Sequence, residues 1–368
     1  MRVISIYMQK LCTVNVDSLA KFSKINLNEW QSQRSTQMMR RSSWPKLHYR
    51  WKRKLLSMLL VASCFATFAL FESLRSRIHT VSLTYPPLIR KPKIAFLFIA
   101  RNRIPLDVAW DVFFRGAMED RFSVYVHSRP GFSLHAATTR SKYFLNRQIN
   151  DSIQVDWGQA SMIQAERILL QNALVDPFNE RFIFLSDSCI PLYNFSYTYD
   201  YIMSVSTSFW AVLTRKHAEI VVQDDIVYPL FEQYCRPADG SKEHNCIPDE
   251  HYVQTLLFQR GLQNEITRRS LTHTSWDLSS SRNNERRGWH PVTYKLADAT
   301  PQLIQSIKNV DNIFYKSENR REWCTSKGKP SGCFLFARKF TRPAAIRLLN
   351  MSALVISTEA TNGVTTAA

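Results

Sequence analysis

Residues 93–100 read KIAFLFIA, and residues 181–185 read RFIFL. Each is a short, nearly continuous apolar run, and the second closes on Ser186-Asp187-Ser188. Strands that read this way, instead of alternating apolar with polar, are buried on both faces. Between them lie helix-spaced apolar residues over 107–118, a second strand over 122–127 (FSVYVH), a further short strand over 153–156, and a helix over 161–174. Strands separated by helices at this spacing predict an α/β domain with a parallel, doubly wound sheet. Ligands of such sheets lie beyond the carboxyl ends of the strands. Arg101-Asn102-Arg103, His127-Ser128-Arg129 and Asp187 are therefore expected to rim a site. Further on, 210–213 reads as a strand followed by a helix, and 248–260 as a helix with Val253, Leu256 and Leu257 on one face.

Upstream, Leu55 to Phe71 is a run of seventeen uncharged residues entered through Arg40, Arg41, Lys46, Arg50, Lys52, Arg53 and Lys54. As a helix it spans about 26 Å. With the positive charge on its N-terminal side it predicts a single-pass signal anchor that keeps 1–54 in the cytosol and sends the remainder across the membrane. A cleaved signal peptide and a buried core helix are the competing readings. Met38 and Met39 offer an alternative start, so 1–38 reads either as a disordered tail or as spurious. Residues 72–92 form a proline-bearing stem, 93–350 the lumenal domain and 351–368 a C-terminal tail. The formal net charge is +18, of which the first 54 residues supply +10 (twelve Lys or Arg against two acids). The rest is only moderately basic, which argues against a nucleic-acid partner.

Of the seven cysteines, Cys235 with Cys246 and Cys324 with Cys333 stand close enough in sequence to close short disulfide loops, as a lumenal location allows. Cys189, in an apolar context, is expected to be a free core thiol. Neither spacing resembles a zinc site. Sequons stand at Asn150, Asn194 and Asn350. Glycine-rich phosphate loops are absent, so a phosphate ligand would be held by side chains. Asp187 is the one acid at the strand end where an Asp-x-Asp clamp would sit, and a divalent cation would be poorly held there; an ordinary turn residue is the plainer reading. Asp249-Glu250 follows Pro248 at a helix start, which helix electrostatics alone explain. The sharper reading is that one of these carboxylates takes a proton from a hydroxyl nucleophile. Late cations, among them Arg286, Arg287, Arg320, Arg321, Lys327, Lys329, Arg338, Lys339 and Arg342, read as solvated surface. Lys339 is the exception: in FLFARKF (334–340) it is flanked by bulky apolar residues, as suits a group that neutralises a diphosphate leaving group. Trp276, Trp289 and Trp323 are either sugar-stacking platforms or core.

The segments KIAFLFIARN, VYVHSRPGF, WGQASMIQAE, FIFLSDSCIPLYNFSYTYDYI, LTRKHAEIVV, NCIPDEHYVQTLL, LTHTSWDLSSS with GWHPVTY, REWCTSKGKP and CFLFARKFTRPAA together resemble the core-2/I-branching β-1,6-N-acetylglucosaminyltransferase family, in its plant branch. The resemblance covers roughly 93–349. It implies a type II Golgi membrane protein whose lumenal domain is GT-A-like, a doubly wound mixed sheet with flanking helices. It further implies an inverting transfer from a UDP-sugar, with N-acetylglucosamine as the expected sugar, that needs no metal or other cofactor. The acceptor is then a polysaccharide or a glycoprotein glycan, and self-association is left open. Carried over by motif, Glu250 in Pro-Asp-Glu-His is the general base and Lys339 the cation at the diphosphate. Arg320 or Arg321 is its helper, Trp276 contacts the acceptor with Asp249 beside it, and Ser128 stands where animal members carry a uridine-contacting acid. Against the family pattern the chain lacks a segment at the Phe209–Trp210 junction, and the stretch from Cys235 through Gly240 is short. The rival reading is therefore a membrane-anchored, non-catalytic relative that binds glycans or partner transferases. A third reading, a hydrolase using Asp249 and Glu250 as its pair, is disfavoured, because adjacent helical residues point apart.

Overall fold

The computed structural model describes residues 91–156, 158–235, 246–276 and 291–354. The expected cytosolic tail, the anchor and nearly all of the stem fall outside those residues, as do Trp289, Arg286, Arg287 and the tail beyond 354. Among the described residues no helix is long and apolar enough to cross a membrane.

The first half alternates β1 (Lys93–Ile99), α1 (Asp107–Arg115), β2 (Phe122–His127), α2 (Ser161–Leu174) and β3 (Asn179–Ser186). Next come β4 (Ile190–Pro191), α3 (Phe195–Ser204), β5 (Ser208–Trp210), β6 (Val212–Thr214), α4 (Arg215–Gln223), α5 (Val227–Tyr234) and α6 (Pro248–Gln259). The chain continues through β7 (Ile266–Ser270), β8 (Thr272–Thr274), α7 (Pro301–Lys308), β9 (Asn312–Tyr315) and β10 (Arg320–Trp323). Last are β11 (Thr325–Ser326), β12 (Lys329–Pro330), β13 (Phe336–Arg338) and α8 (Arg342–Asn350).

The main sheet has the order β2-β1-β3-β6-β5-β7. β1 is parallel to both β2 and β3, β6 runs antiparallel to β3 and β5, and β7 is parallel to β5. The sheet is thus mixed, as the resemblance implies, with parallel pairing among its first three strands and again between β5 and β7. β1 explains the continuous apolar run: Ile94, Phe96 and Phe98 point into one core layer and Ala95 and Leu97 into the other. α1, α3 and α8 cover the first face, while α2, α4 and α6 cover the second. A smaller sheet, β4-β13-β8, carries the late apolar segment FLFARKF into this framework.

The first layer is dominated by aromatic rings. Trp110 is fully buried, packs edge-on to Phe96, Phe98 and Phe113, and donates its indole N–H to the Cys189 carbonyl at 3.1 Å. Edge-on ring pairs add to the area burial. Trp110→Ala is expected to cost about 3–5 kcal/mol of stability, measurable by denaturant unfolding. Nearby, the buried Asp107 carboxylate accepts from Thr139 Oγ1 (3.1 Å), the Arg140 amide (2.9 Å) and Arg342 Nη1 (2.7 Å). That last contact fastens α8 to α1.

Two predicted strands differ. Residues 153–156 form no strand: Ile153 and Val155 are only two apolar positions, too few to hold a register. The Ile153 amide instead donates to His127 Nε2 at 3.2 Å, and the edge of β2 is met only by a single bridge from Val126 to Gln148. The expected strand over 210–213 is a hairpin folded at Ala211, in which Phe209 faces Val212. Reversal there buries Phe209, Val212 and Leu213 together, and the Ala211 carbonyl accepts from the Phe184 amide at 3.0 Å.

Both expected disulfides are present, Cys235–Cys246 and Cys324–Cys333, and Cys189 is a buried free thiol. The first ties the end of α5 to the residue two before α6. Of the sequons, Asn150 and Asn350 are exposed, whereas Asn194 is half-buried and caps α3 by accepting the Tyr197 amide at 2.9 Å.

Candidate active site

Helix α6 starts with Pro248 at its first turn, followed by Asp249 and Glu250. Pro pre-sets the helical φ, and two acids in the first turn suit the free N–H groups there. Val253, Leu256 and Leu257 anchor the helix in the second core layer. A second anchor is polar: Tyr252 donates to Asp224 Oδ2 at 2.9 Å and accepts from Arg167 Nη1 at 3.0 Å. Asp224 also accepts from the amides of Ile226, Val227 and Tyr228. The carboxylate pair therefore stands on a helix fixed to both α2 and the start of α5.

Burial raises both carboxyls. Asp249 is pushed up to about 6, chiefly by burial and then by the neighbouring Glu250 charge, while Arg338 and His251 oppose the shift. Glu250 is raised by burial, against the pull of Arg338. That guanidinium comes from the last residue of β13, where it pairs in register with Thr274 of β8 and donates from Nε to Thr274 Oγ1 at 3.2 Å.

Lys339 is the next residue. Its backbone is clasped on both sides, the amide donating to Val292 O (3.3 Å) and the carbonyl accepting from the Tyr294 amide (2.8 Å). Burial lowers the Lys339 pKa, and Arg338 pushes the same way; Asp187 works against them. Asp187 in turn is raised by burial, while Arg101 and Lys339 draw it down. The end of β1 (Arg101), the end of β3 (Asp187) and the end of β13 (Arg338, Lys339) thus meet, with the head of α6 beside Arg338. Asp187 faces two cations and no second acid. Among the described residues, no group of three His, Cys, Asp or Glu side chains is placed to hold a metal ion.

The other expected site residues are distributed as follows. Ser128 is 1% exposed and spends its hydroxyl on the Asn102 carbonyl at 2.9 Å, so it joins the β1 and β2 ends. Trp276 lies two residues past the Thr274 that pairs with Arg338, bridged to Pro291. Arg320 and Arg321 are elsewhere, on the β9–β10 hairpin beside β7. Arg320 is held by Glu318 and Glu322, each at 3.1 Å, and lies over Tyr315; Arg321 lies over Phe314 and Trp323. The cation beside Lys339 is Arg338, one of the late cations expected at the surface. The signal was present in FLFARKF, where two basic residues adjoin at the end of an apolar run.

A carboxylate raised by burial, near cations at the carboxyl edge of a mixed sheet, suits group transfer from an anionic donor. The Core-2/I-Branching enzyme family model matches residues 94–209 and 205–308. Glycosyltransferase BC10 of Oryza sativa subsp. japonica is 59% identical over 319 residues, covering 74% of this chain and 79% of that protein. The chain belongs to the Core-2/I-branching enzyme family and is a glycosyltransferase whose substrates are a nucleotide-sugar donor and a glycan acceptor. The two matched stretches meet at 205–209, the junction where the family pattern predicts a missing segment.

Proposed function

We propose that this chain is an inverting, metal-independent transferase that moves a sugar from a UDP-sugar, N-acetylglucosamine being the leading candidate, to a hydroxyl of a polysaccharide or glycoprotein glycan. Supporting it is the Arg338–Lys339 doublet, one strand end whose charges face Asp249 and Glu250 on one side and Asp187 on the other. In this mechanism Glu250 takes the acceptor hydroxyl proton as the hydroxyl oxygen bonds to the anomeric carbon. The bond from that carbon to the β-phosphate oxygen breaks with its electron pair, and UDP leaves from the opposite face. Lys339 and Arg338 stabilise the charge that develops on the diphosphate, the task a metal ion performs elsewhere. Trp276, beyond β8, is assigned to the acceptor side. The run from Leu55 to Phe71 is assigned as the anchor of a type II Golgi membrane protein with this domain in the lumen.

The break in the family match at 205–209 favours a second reading, a relative that binds the donor without turning it over. The test is transfer from a panel of UDP-sugars to oligosaccharide acceptors by the full chain in detergent, with and without EDTA. EDTA-resistant product with inverted linkage is expected. Loss of transfer on chelation, restored by a divalent cation, defeats metal independence; UDP binding without product across the panel establishes the second reading.

A further inference from the structure

A small cavity is enclosed by α2, α6, β3 and the β5–β6 hairpin, lined by Glu166, Gln254, Ser208, Phe184 and Leu257 among others. Two of these side chains matter: a nearly buried acid, Glu166, and Gln254, whose amide oxygen is buried without a partner among the described residues. Glu166 is 7% exposed and takes part in no hydrogen bond or ion pair among the described residues. The Oε1 atom of Gln254 is buried and has no hydrogen-bond partner among them either. Ser208 cannot serve that oxygen, because its hydroxyl is engaged with His217 Nδ1 at 2.7 Å and accepts the Thr214 amide at 3.0 Å. Gln254 is one helical turn after Glu250, on the same stripe of α6. An ionised carboxylate only accepts hydrogen bonds and cannot satisfy an amide oxygen, whereas a carboxylic acid donates one.

We infer that Glu166 is a positioning residue of the transfer site, a neutral acid whose hydroxyl donates to Gln254 Oε1 and so adds no third negative charge beside Asp249 and Glu250. The surrounding charges agree. α2 packs against α4, α6, β1, β2 and β3. Of the titratable groups on those elements, Asp249 is the one whose charge bears on Glu166, and with burial it raises the Glu166 pKa well above the usual carboxylate range. Arg167 turns away to Tyr252 and the Val222 carbonyl. On the strands, Lys93 is paired with Asp176, His127 accepts from the Ile153 amide, and Arg181 reaches the Val205 carbonyl. On α4, Arg215 is paired with Glu219, while Lys216 and His217 are both taken by Glu265. No cation offsets a charge on Glu166, and Arg338 is the one arginine that draws down both Asp249 and Glu250. A proton on Glu166 keeps a third negative charge away from that arginine's two partners.

The inference rests on Glu250 being the base, and its test separates the two. Infrared spectra of the full chain with isotope-labelled glutamate are expected to show a protonated glutamic acid carbonyl band near neutral pH that disappears on alkaline titration and is missing in Glu166→Gln. The wild-type titration does not depend on the variant folding. In transfer assays the wild type is expected to lose kcat/KM at alkaline pH as Glu166 ionises. Glu166→Gln, isosteric and permanently neutral, should keep activity within about threefold near neutrality and lack that alkaline limb. A purely structural role would not remove the limb. Absence of the band in the wild type, its persistence in Glu166→Gln, or an alkaline limb unchanged in the variant overturns the inference. Undiminished transfer by Glu250→Gln overturns the base assignment whatever the band shows.

Discussion

Glu250→Gln is expected to lower kcat for sugar transfer by about a hundred- to ten-thousand-fold, with little change in the KM for the donor. The substitution keeps the shape of the side chain and removes only its capacity to take a proton. Because α6 is held by its apolar stripe and by the Tyr252 hydroxyl, the variant should fold as the wild type does. The pH dependence follows from the same burial. Glu250 must be ionised to act as a base, and burial raises its pKa, so activity should fall as pH drops through a value above the ordinary glutamate range. The sign is fixed: more acid means more protonated Glu250 and less transfer. The glutamine variant should lack this acid limb in its residual activity. Steady-state kinetics across pH, with circular dichroism to confirm the fold, make the measurement. Full activity in the variant would assign the proton transfer to another group.

Lys339→Met is expected to lower kcat/KM for the donor by about a hundred- to a thousand-fold, the usual loss when one preorganised group that stabilises developing charge is removed. The methionine keeps much of the apolar stem, and the backbone bonds of residue 339 to Val292 and Tyr294 are untouched, while the ammonium is lost. Two effects should separate in the kinetics. The ground-state diphosphate is already anionic, so part of the loss enters KM; charge added as the sugar–phosphate bond breaks places the rest in kcat. Lys339 is partly buried beside Arg338, and both conditions disfavour its charge. An arriving diphosphate reverses that balance, so donor binding should be tighter at pH values where the ammonium is intact. Donors with better leaving groups should be less sensitive to the substitution. Equal losses for good and poor leaving groups would place Lys339 in binding alone.

The elements that proved legible are those whose signal is local. KIAFLFIA needs both its faces covered, and helices over 161–174 and 248–259 carry apolar residues at helical spacing. Cys235 with Cys246 and Cys324 with Cys333 can close only short loops. Asp249 and Glu250 were placed at a helix head by Pro248 alone. What failed lacked such a signal. Ile153 and Val155 alternate like a strand but are too few to hold a register, and the hairpin at Ala211 carries none of the usual turn residues. Arg320 and Arg338 look alike in sequence; one is committed to Glu318 and Glu322, the other acts on Glu250.

The sequence by itself therefore determined the α/β character, the buried strand at the centre of the sheet, the helix that presents Glu250, and the membership of a sugar-transferring family. Only the tertiary structure decided which charges meet. β13 pairs between β4 and β8, and that register sets Arg338 beside Thr274 and Lys339 toward Asp187. α2 packs on α6, and that contact sets Glu166 near the Asp249 charge. The reason is one of range. Apolar periodicity is written within a dozen residues because it records one face of one element. Electrostatic partnership is fixed by where separate elements dock, and no spacing along the chain encodes that distance.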